Sequence, residues 1–395
     1  FKQKTAYEML RSLVGSEMCI RDREYNRTEV KSIFSLSKNW GKYSLIGRLE
    51  YIKDLESDDN TTLQKLPSVS FDVSRQRIGE SDFYYALNTD YTNFWSQEGL
   101  KGNRLIVRPT LSTNFQLWDV INLAPEVTYR ERYYWGLNED YDSEHQGIAA
   151  FTTRATTQLQ KVYHQPHGQF EKLRHSIEPE LVYTYIPEVK QSDLPYFDDL
   201  DRIDNANLIA YALTQRLTAR FDHVDEDPTY RELVYLRVSQ AYDLTDEFRH
   251  QQRFQDLRIQ TSLLPTEWLS LLSDTSLDVD TGNWSKVTAV GKVNDKQGNS
   301  VKLLYNYESE DDVDYVEGEL SVAFLKPLYL DYQQRYDLTT DKQLEQVIGI
   351  EYRHQCWGAK LTYRDRKDDN SIMLTFTMRG IGSVGGIGSS GLGGF

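Results

Sequence analysis

The most constraining feature of the sequence is a two-residue alternation of apolar and polar side chains on both sides of a long polar stretch. The apolar or aromatic set is Leu173, Ile177, Leu181, Tyr183, Tyr185, Ile209, Tyr211, Leu213, Leu217 and Phe221. The polar set that alternates with it is Arg174, Ser176, Glu178, Glu180, Thr184, Thr214, Arg216, Thr218 and Arg220. Because side chains of a β-strand point alternately to opposite faces, this pattern predicts two strands, each with one apolar and one charged face, joined by a loop at residues 187–207.

The same alternation recurs from Thr28 onward and predicts about 19 strands, many of roughly 10 to 14 residues. Such strands exceed the usual length of about 5 to 6 residues in globular proteins and suit a tilted membrane crossing. No apolar run reaches the roughly 18 residues of a transmembrane helix. The expected fold is therefore all-β, an antiparallel transmembrane β-barrel. Pro109 and Pro125 fall inside predicted strands, and each predicts a bulge, a strand end or an edge.

The connections between the predicted strands fall into two classes. The longer ones, which are mostly acidic, are 52–65, 95–101, 134–148, 187–207 and 243–251. The shorter ones are 39–42, 76–81, 116–119, 264–266, 295–298 and 326–327, and 164–171 and 222–231 are longer exceptions on the same side. If the last strand ends in the periplasm, counting backwards places the long set outside the cell. This asymmetry is typical of outer-membrane barrels.

Both ends of the sequence differ from the alternating region. Residues 17–23, EMCIRDR, resemble the in-frame translation of a sequencing-library adapter, so residues 1–23 are expected to be an artefact. Residues 381–395 are rich in glycine and are expected to form a flexible tail rather than a strand. The barrel domain is expected over residues 24–380.

Three segments resemble the C-terminal barrel domain of the LptD family of LPS-assembly proteins. The first is LRHSIEPELVYTYIP at 173–187, and the second is LPYFDDLDRIDNANLIAYALTQRL at 194–217. The closing stretch 355–383, QCWGAKLTYRDRKDDNSIMLTFTMRGIGS, is similar to that family's final hairpin. The inward-facing residues of the motif are Arg174, Ser176, Glu178, Glu180 and Arg216. Its outer-loop residues are Pro195, Phe197, Asp198, Asp201 and Asn205.

The resemblance implies transport of lipopolysaccharide (LPS) in the outer membrane of a Gram-negative bacterium, without an enzymatic step and without a cofactor. The family's barrel has 26 strands, so this chain is expected to be incomplete and to hold about the last 19. The implied partners are LPS, the LptE lipoprotein plug, the barrel assembly machinery, and the periplasmic Lpt bridge through a missing N-terminal domain. LPS acyl chains are expected to leave through a lateral seam at the last strand. Its lipid-facing residues are Ile372, Leu374, Phe376 and Met378.

Cys356 gains a role from the same resemblance. The strand count places its turn in the periplasm, and cysteines at this position of the family form disulfides with the N-terminal domain. The sequence leaves two alternatives open, a cross-link to that missing domain or an inert free thiol. The nearby His354 and Cys356 supply only two of the three or four ligands that zinc usually takes, so no metal site is predicted.

Several other interpretations are open. A general outer-membrane porin or hydrophobic-compound transporter shares the alternation, but does not require the two motifs at 173–187 and 194–217. A hydrolase should show an activated nucleophile, and none is recognisable. Glu178 and Glu180 resemble a carboxylate pair for acid–base chemistry, yet a charge ladder inside a barrel explains them more simply. The net charge of −15 argues against a nucleic-acid partner.

Two further clusters favour ordinary surface roles. The acidic loop residues Asp193, Asp198, Asp199 and Asp201 lack EF-hand spacing, so a solvated or LPS-facing loop is expected, with calcium bridging to phosphates as the alternative. His164 and His167 lie in a segment with Pro and Gly and predict a solvated turn.

Overall fold

The protein folds almost entirely into antiparallel β-strands. The computed structural model describes residues 29–55, 61–136, 143–164, 170–223, 226–245, 253–323, 325–366, 369–378 and 382–384. Within these ranges, no helix is long and apolar enough to cross a membrane. The strands of the described residues are β1 (Glu29–Trp40), β2 (Tyr43–Asp54), β3 (Gln64–Arg77), β4 (Phe83–Trp95), β5 (Gly102–Thr113), β6 (Phe115–Leu117), β7 (Ile121–Trp135), β8 (Glu144–Thr156), β9 (Leu159–His164), β10 (Lys172–Ile186), β11 (Ala206–His223), β12 (Glu226–Asp243), β13 (Leu257–Leu263), β14 (Leu269–Leu277), β15 (Trp284–Asn294), β16 (Ser300–Glu308), β17 (Val313–Val322), β18 (Leu328–Asp337), β19 (Lys342–Arg353), β20 (Trp357–Arg366), β21 (Asp369–Met378) and β22 (Gly382–Val384).

The observed strands confirm the all-β, antiparallel prediction. Three short elements were not foreseen as separate strands. β6 is separated from β5 at Asn114, and β9 is separated from β8 by Thr157 and Gln158. β22 pairs with Phe376–Met378 at the end of β21, so three residues of the Gly-rich segment form a strand where the sequence predicted none. The rest of the segments 1–23 and 381–395 lies outside the described residues.

Pro109 and Pro125 coincide with interruptions of one ladder. The register of β5 against β7 pairs Val107 with Glu131 and resumes at Thr110 with Thr128, without partners for Arg108 and Pro109. It stops again before Pro125, and β6 then pairs with the beginning of β7. Proline lacks the N–H that a ladder needs, which explains both gaps and confirms the predicted irregularity.

The chain divides into two compact units. Unit 1 comprises residues 1–158, 178–212 and 241–254, and unit 2 comprises residues 159–177, 213–240 and 255–395. In unit 1, successive strands from β1 to β5 pair as neighbours. β5 then pairs with β7, and β7 pairs with β8. In unit 2, successive strands from β13 to β21 pair in the same way.

Large apolar side chains stay exposed along one face of the strands in each unit. In unit 1, Phe34 and Leu36 of β1 are 66% and 72% exposed. In unit 2, Leu303 of β16 is 60% exposed, whereas its neighbour Leu304 is buried on the opposite face. Regular exposure of this kind is unfavourable in water and suits strands whose apolar face meets lipid.

Unit 1 also contains the one apolar cluster of buried residues found in the described part of the chain. Phe94 of β4 and Tyr134 of β7 pack there against Leu194 and Phe197, with Leu63 and Leu100 at its margin. Leu194 and Phe197 belong to the loop between β10 and β11, residues 187–205, which we call the docked loop. The loop therefore forms part of the core of unit 1 instead of extending into solvent.

Candidate functional site

A row of cationic and aromatic side chains on one face of unit 1 receives the docked loop. Arg104 of β5 lies two residues from Ile106, and Arg132 of β7 lies two residues from Tyr134, so each pair shares one strand face. All four residues are buried. Lys65 of β3 adds a third cation at the same loop. Alternation along three separate strands thus produces one positively charged surface.

The docked loop presents two carboxylates to this surface from a short 3₁₀ turn, Asp199–Asp201. Asp198 caps the turn, and its Oδ1 accepts a hydrogen bond from the N–H of Leu200 at 3.2 Å. Asp201 reaches back, and its Oδ2 accepts from the N–H groups of Phe197 and Asp198 at 2.7 and 2.9 Å. This reciprocal capping box holds both carboxylates in fixed directions.

Arg104 connects the two carboxylates. Its Nη1 lies 2.6 Å from Oδ1 of Asp198 and 2.7 Å from Oδ1 of Asp201. Lys65 Nζ approaches Asp198 Oδ2 at 2.7 Å, and the Tyr134 hydroxyl donates to Asp201 Oδ1 at 2.8 Å. Asp201 is completely buried, so these charge-assisted hydrogen bonds offset the cost of removing its charge from water.

Arg132 secures the backbone of the same loop. Its Nη1 donates to the carbonyl of Asp201 at 2.7 Å, and its Nη2 donates to the side chains of Gln191 and Gln146. Gln191 in turn closes the loop, because its side chain donates to the carbonyl of Ile203 at 2.7 Å and accepts from the N–H of the same residue at 2.9 Å. One strand residue therefore fixes both ends of the loop.

Aromatic packing accompanies these polar contacts. The ring of Phe197 stacks on Phe94 with a centroid separation of 4.2 Å and an interplanar angle of 2°. The Arg104 guanidinium lies 4.9 Å from the Phe94 centroid, and Lys65 Nζ lies 5.6 Å from it. The cations thus contact an aromatic ring as well as carboxylates, in a partly desolvated place where cation–π attraction is strong.

The electrostatics of the cluster favour the ionised carboxylate. Burial alone would raise the pKa of Asp198, but the hydrogen bonds from Arg104 and Lys65 outweigh it and lower that pKa to about 2. Asp198 therefore stays charged at any physiological pH, and the loop remains tied to unit 1.

The site corrects one expectation and brings together most of the predicted loop residues. Pro195, Phe197 and Asp201 are buried, so the solvated alternative is wrong for them, whereas the LPS-facing alternative stays a prediction. Asp198 belongs to the same cluster, whereas Asn205 is exposed just before β11 begins. The loop carboxylates face cations, and the described residues contain no group of three or more metal-ligating side chains that could hold an ion.

Sequence reasoning missed the partners of the loop. Lys65 and Tyr134 fell in the predicted connections 52–65 and 134–148, and Arg104 and Arg132 were given no role. The available signal was the placement of Arg104 and Arg132 on the same face as Ile106 and Tyr134, since a cation on an apolar face requires a counter-charge.

The comparison with known families decides the family. The model of the family described as "LptD: LPS transport system D" matches residues 14–318. The chain belongs to the LptD family. Proteins named LPS-assembly protein LptD are similar to it: the one from Chromohalobacter salexigens is 24% identical, covering 86% of this chain and 51% of that protein. The one from Methylococcus capsulatus is 23% identical, covering 80% and 36% respectively. The chain thus spans about half or less of the length of these curated relatives.

Membership of the LptD family places the chain in the outer membrane of a Gram-negative bacterium and identifies its strands as those of an outer-membrane β-barrel domain. The porin alternative is not favoured. Among solved structures, the siderophore receptor PirA from Acinetobacter baumannii is 6% identical, covers 88% of this chain and 71% of its own, and gives a TM-score of 0.36. The copper transporter OprC is 11% identical, covers 89% and 72%, and gives 0.28. These two likenesses are too weak to bear on function.

The residues predicted to face inward in the LptD-type motif make separate contacts within each unit. In unit 1, Glu180 pairs with Arg154 at 3.1 Å, and Glu178 accepts a hydrogen bond from Gln158 at 3.1 Å. In unit 2, Arg216 pairs with Glu232 at 2.8 Å. Ser176 is buried and Arg174 is exposed, both also in unit 2. The carboxylates thus have strand partners of the kind expected for a charge ladder.

The closing hairpin of unit 2 presents the remaining predicted residues. Ile372, Leu374, Phe376 and Met378 share one face of β21 and are all exposed. β21 pairs with β20 along its whole length, and its other side meets only the three residues of β22 among the described strands. Cys356 lies in the turn before β20, where its thiol is free and exposed.

His164 is exposed at the end of β9, and His167 lies outside the described residues.

Proposed function

We propose that the full-length protein transports LPS and assembles it in the outer leaflet of the outer membrane. The observation that carries this proposal is the LptD-family match over residues 14–318, which spans most of the strands described above. The division of those strands into a charged face and an exposed apolar face supports it, because LPS is itself an amphiphile with polar sugars and apolar acyl chains.

In this proposal the two faces handle the two halves of the substrate. The sugars pass along the charged inner face, where the docked loop of unit 1 offers polar side chains such as Tyr196 and Asp199. The acyl chains leave beside β21, the seam strand, whose outer side has little strand pairing among the described residues. Weak pairing suits an exit for an amphiphile, since a full ladder would seal the wall.

The partners belong to the same proposal. The LptE lipoprotein would plug the barrel, the barrel assembly machinery would insert it, and the periplasmic Lpt bridge would deliver LPS through an N-terminal domain. The exposed thiol of Cys356 would form a disulfide with that domain. Non-reducing electrophoresis of the full-length protein tests this link, because Cys356→Ser should remove one cross-linked species, whereas Ser371→Ala should leave it unchanged.

The transport itself is tested by depletion of the full-length protein in its host. LPS accessible at the cell surface should fall as the protein disappears, and LPS should accumulate inside the cell. A photo-cross-linking residue at Tyr196, which is 53% exposed on the docked loop, should form adducts with LPS. The same photo-cross-linker at Trp268, an exposed residue of unit 2 that directly precedes β14, serves as the control. Normal surface LPS after depletion would overturn the proposal.

A further inference from the structure

A groove in unit 2 lies outside the site described above. It lies at one end of the strands β14 to β16 and has a volume of about 770 Å³. Three aromatic residues line it together with small polar residues from two turns. The lining residues are Thr275, Asp278, Thr281, Asn283, Trp284, Ser285, Val287, Tyr305, Tyr307 and Ser309.

The groove results from the pairing of large with small side chains. In the register of β15 with β16, Tyr307 faces Val287 and Tyr305 faces Ala289. Further along the same face, Leu303 faces Gly291. The small partners leave open space beside the aromatic rings. Because Leu303 is 60% exposed on this face, the groove continues the apolar surface that meets lipid.

The position of the groove indicates the membrane interface. Tyr and Trp concentrate where the apolar band of a membrane barrel ends, and here Trp284 directly follows the turn after β14, while Tyr305 and Tyr307 lie close to the end of β16. If the last strand ends in the periplasm, the alternation of connections along the chain assigns the turn 278–283 to the outer side. A ligand in this groove would therefore lie at the headgroup level of the outer leaflet.

The chemistry of the lining indicates the class of ligand. Aromatic faces accept the C–H faces of a sugar ring, and hydroxyl and amide groups bind its hydroxyls. The described lining contains no Lys or Arg, and its one acid is Asp278, so a phosphate is disfavoured. The turn is also ordered, since the N–H of Asp278 donates to the carbonyl of Asn283 and that of Gly282 to the carbonyl of Asp278, both at 2.9 Å.

We propose that this groove binds an uncharged saccharide unit of a glycolipid headgroup in the outer leaflet. The apolar strand face below it contacts the acyl chains of the same lipid, and Trp284 stacks on the sugar. The bound molecule is a resident lipid of the barrel wall. The inference rests on the outer-membrane location and not on transport.

The test measures glycolipid that stays bound to the full-length protein purified from outer membranes in mild detergent. Native mass spectrometry would count bound rough-type LPS, which carries lipid A and core sugars, in the wild type and in Trp284→Ala. Bound glycolipid should fall about tenfold, which corresponds to about 1.4 kcal/mol for one lost aromatic contact. Trp284→Phe keeps a ring and should retain most of the binding.

Trp268→Ala is the matched control, because Trp268 is similarly exposed at the opposite end of β14. Heat-modifiable migration on gels verifies that each variant is folded. Competition by lipid-free core oligosaccharide that depends on Trp284 would support recognition through the sugar. Three results would overturn the proposal. They are an equal loss of glycolipid in Trp268→Ala and Trp284→Ala, binding of the free oligosaccharide without any retained glycolipid, and retention of phosphatidylglycerol equal to that of the glycolipid.

Discussion

Two buried arginines, one in each unit, have nearly identical surroundings and different partners. Arg104 of unit 1 lies 4.9 Å from the Phe94 ring centroid and pairs with carboxylates of the docked loop. Arg335 of unit 2 lies 5.1 Å from the Tyr315 centroid and pairs at 2.8 Å with Glu317 on the neighbouring strand. The same chemistry therefore holds a loop in place in one unit and cross-links two strands in the other. What a buried cation stabilises depends on the element that supplies its counter-charge.

The largest expected effect follows from removing the loop's cation. Arg104→Ala leaves Asp201 fully buried without its guanidinium and should destabilise loop docking by about 3–5 kcal/mol. Hydrogen exchange of the full-length protein should show loss of protection in residues 190–203 while the strand amides stay protected. Arg258→Ala, which removes a half-exposed strand cation in unit 2, is the control. Unchanged loop protection in Arg104→Ala would contradict the role given to this pair.

The equivalent change in unit 2 should act on strands and leave the loop alone. Arg335→Ala leaves one buried carboxylate, Glu317, unpaired and should cost about 3 kcal/mol. A lower Tm of the detergent-solubilised protein, with the protection of the docked loop retained, is the expected result. Replacing both partners by apolar residues of similar size, Arg335→Met with Glu317→Leu, should restore most of the Tm. Release of the loop by Arg335→Ala would remove the contrast between the two arginines.

These two arginines also show how far the sequence alone could predict the structure. Period-two alternation predicted the strands and the polar face of Arg216 and Glu180, because a strand's face follows from local geometry. It could not reveal that Arg104 meets Asp201, which lies 97 positions later and on a loop. Loop conformation depends on such distant contacts, so the buried state of Phe197 also escaped prediction. The interruption at Pro109 was predictable, since it depends on one missing N–H.

A smaller effect should appear on acidification. The pKa of Asp198 is lowered in the folded protein to about 2, from an ordinary value of 3.8. Its contribution is therefore fully present above about pH 4 and is lost as the pH falls towards 2, and it amounts to on the order of 2 kcal/mol. Pepsin should cut the docked loop faster at pH 2.5 than at pH 4.5. Rates are to be normalised to a free peptide of the same sequence.

Asp198→Asn is the control for that measurement, because it removes the titrating group and leaves its shape. This variant should be cut at similar normalised rates at both pH values. If the wild type shows no such difference between the two pH values, the link between Asp198, Lys65 and Arg104 does not contribute to docking.

The smallest effect is expected at the exposed end of the same loop. Lys190 and Asp193 form an ion pair at 2.7 Å, but their side chains are 75% and 67% exposed. Solvent screens such pairs, so Lys190→Ala should leave the hydrogen exchange of the docked loop unchanged within error. The carbonyl of Lys190, which accepts a hydrogen bond from Gln146, is retained in this variant. If Lys190→Ala released the loop as Arg104→Ala should, docking would depend on the total charge of the loop, and burial of Asp201 would not be its cause.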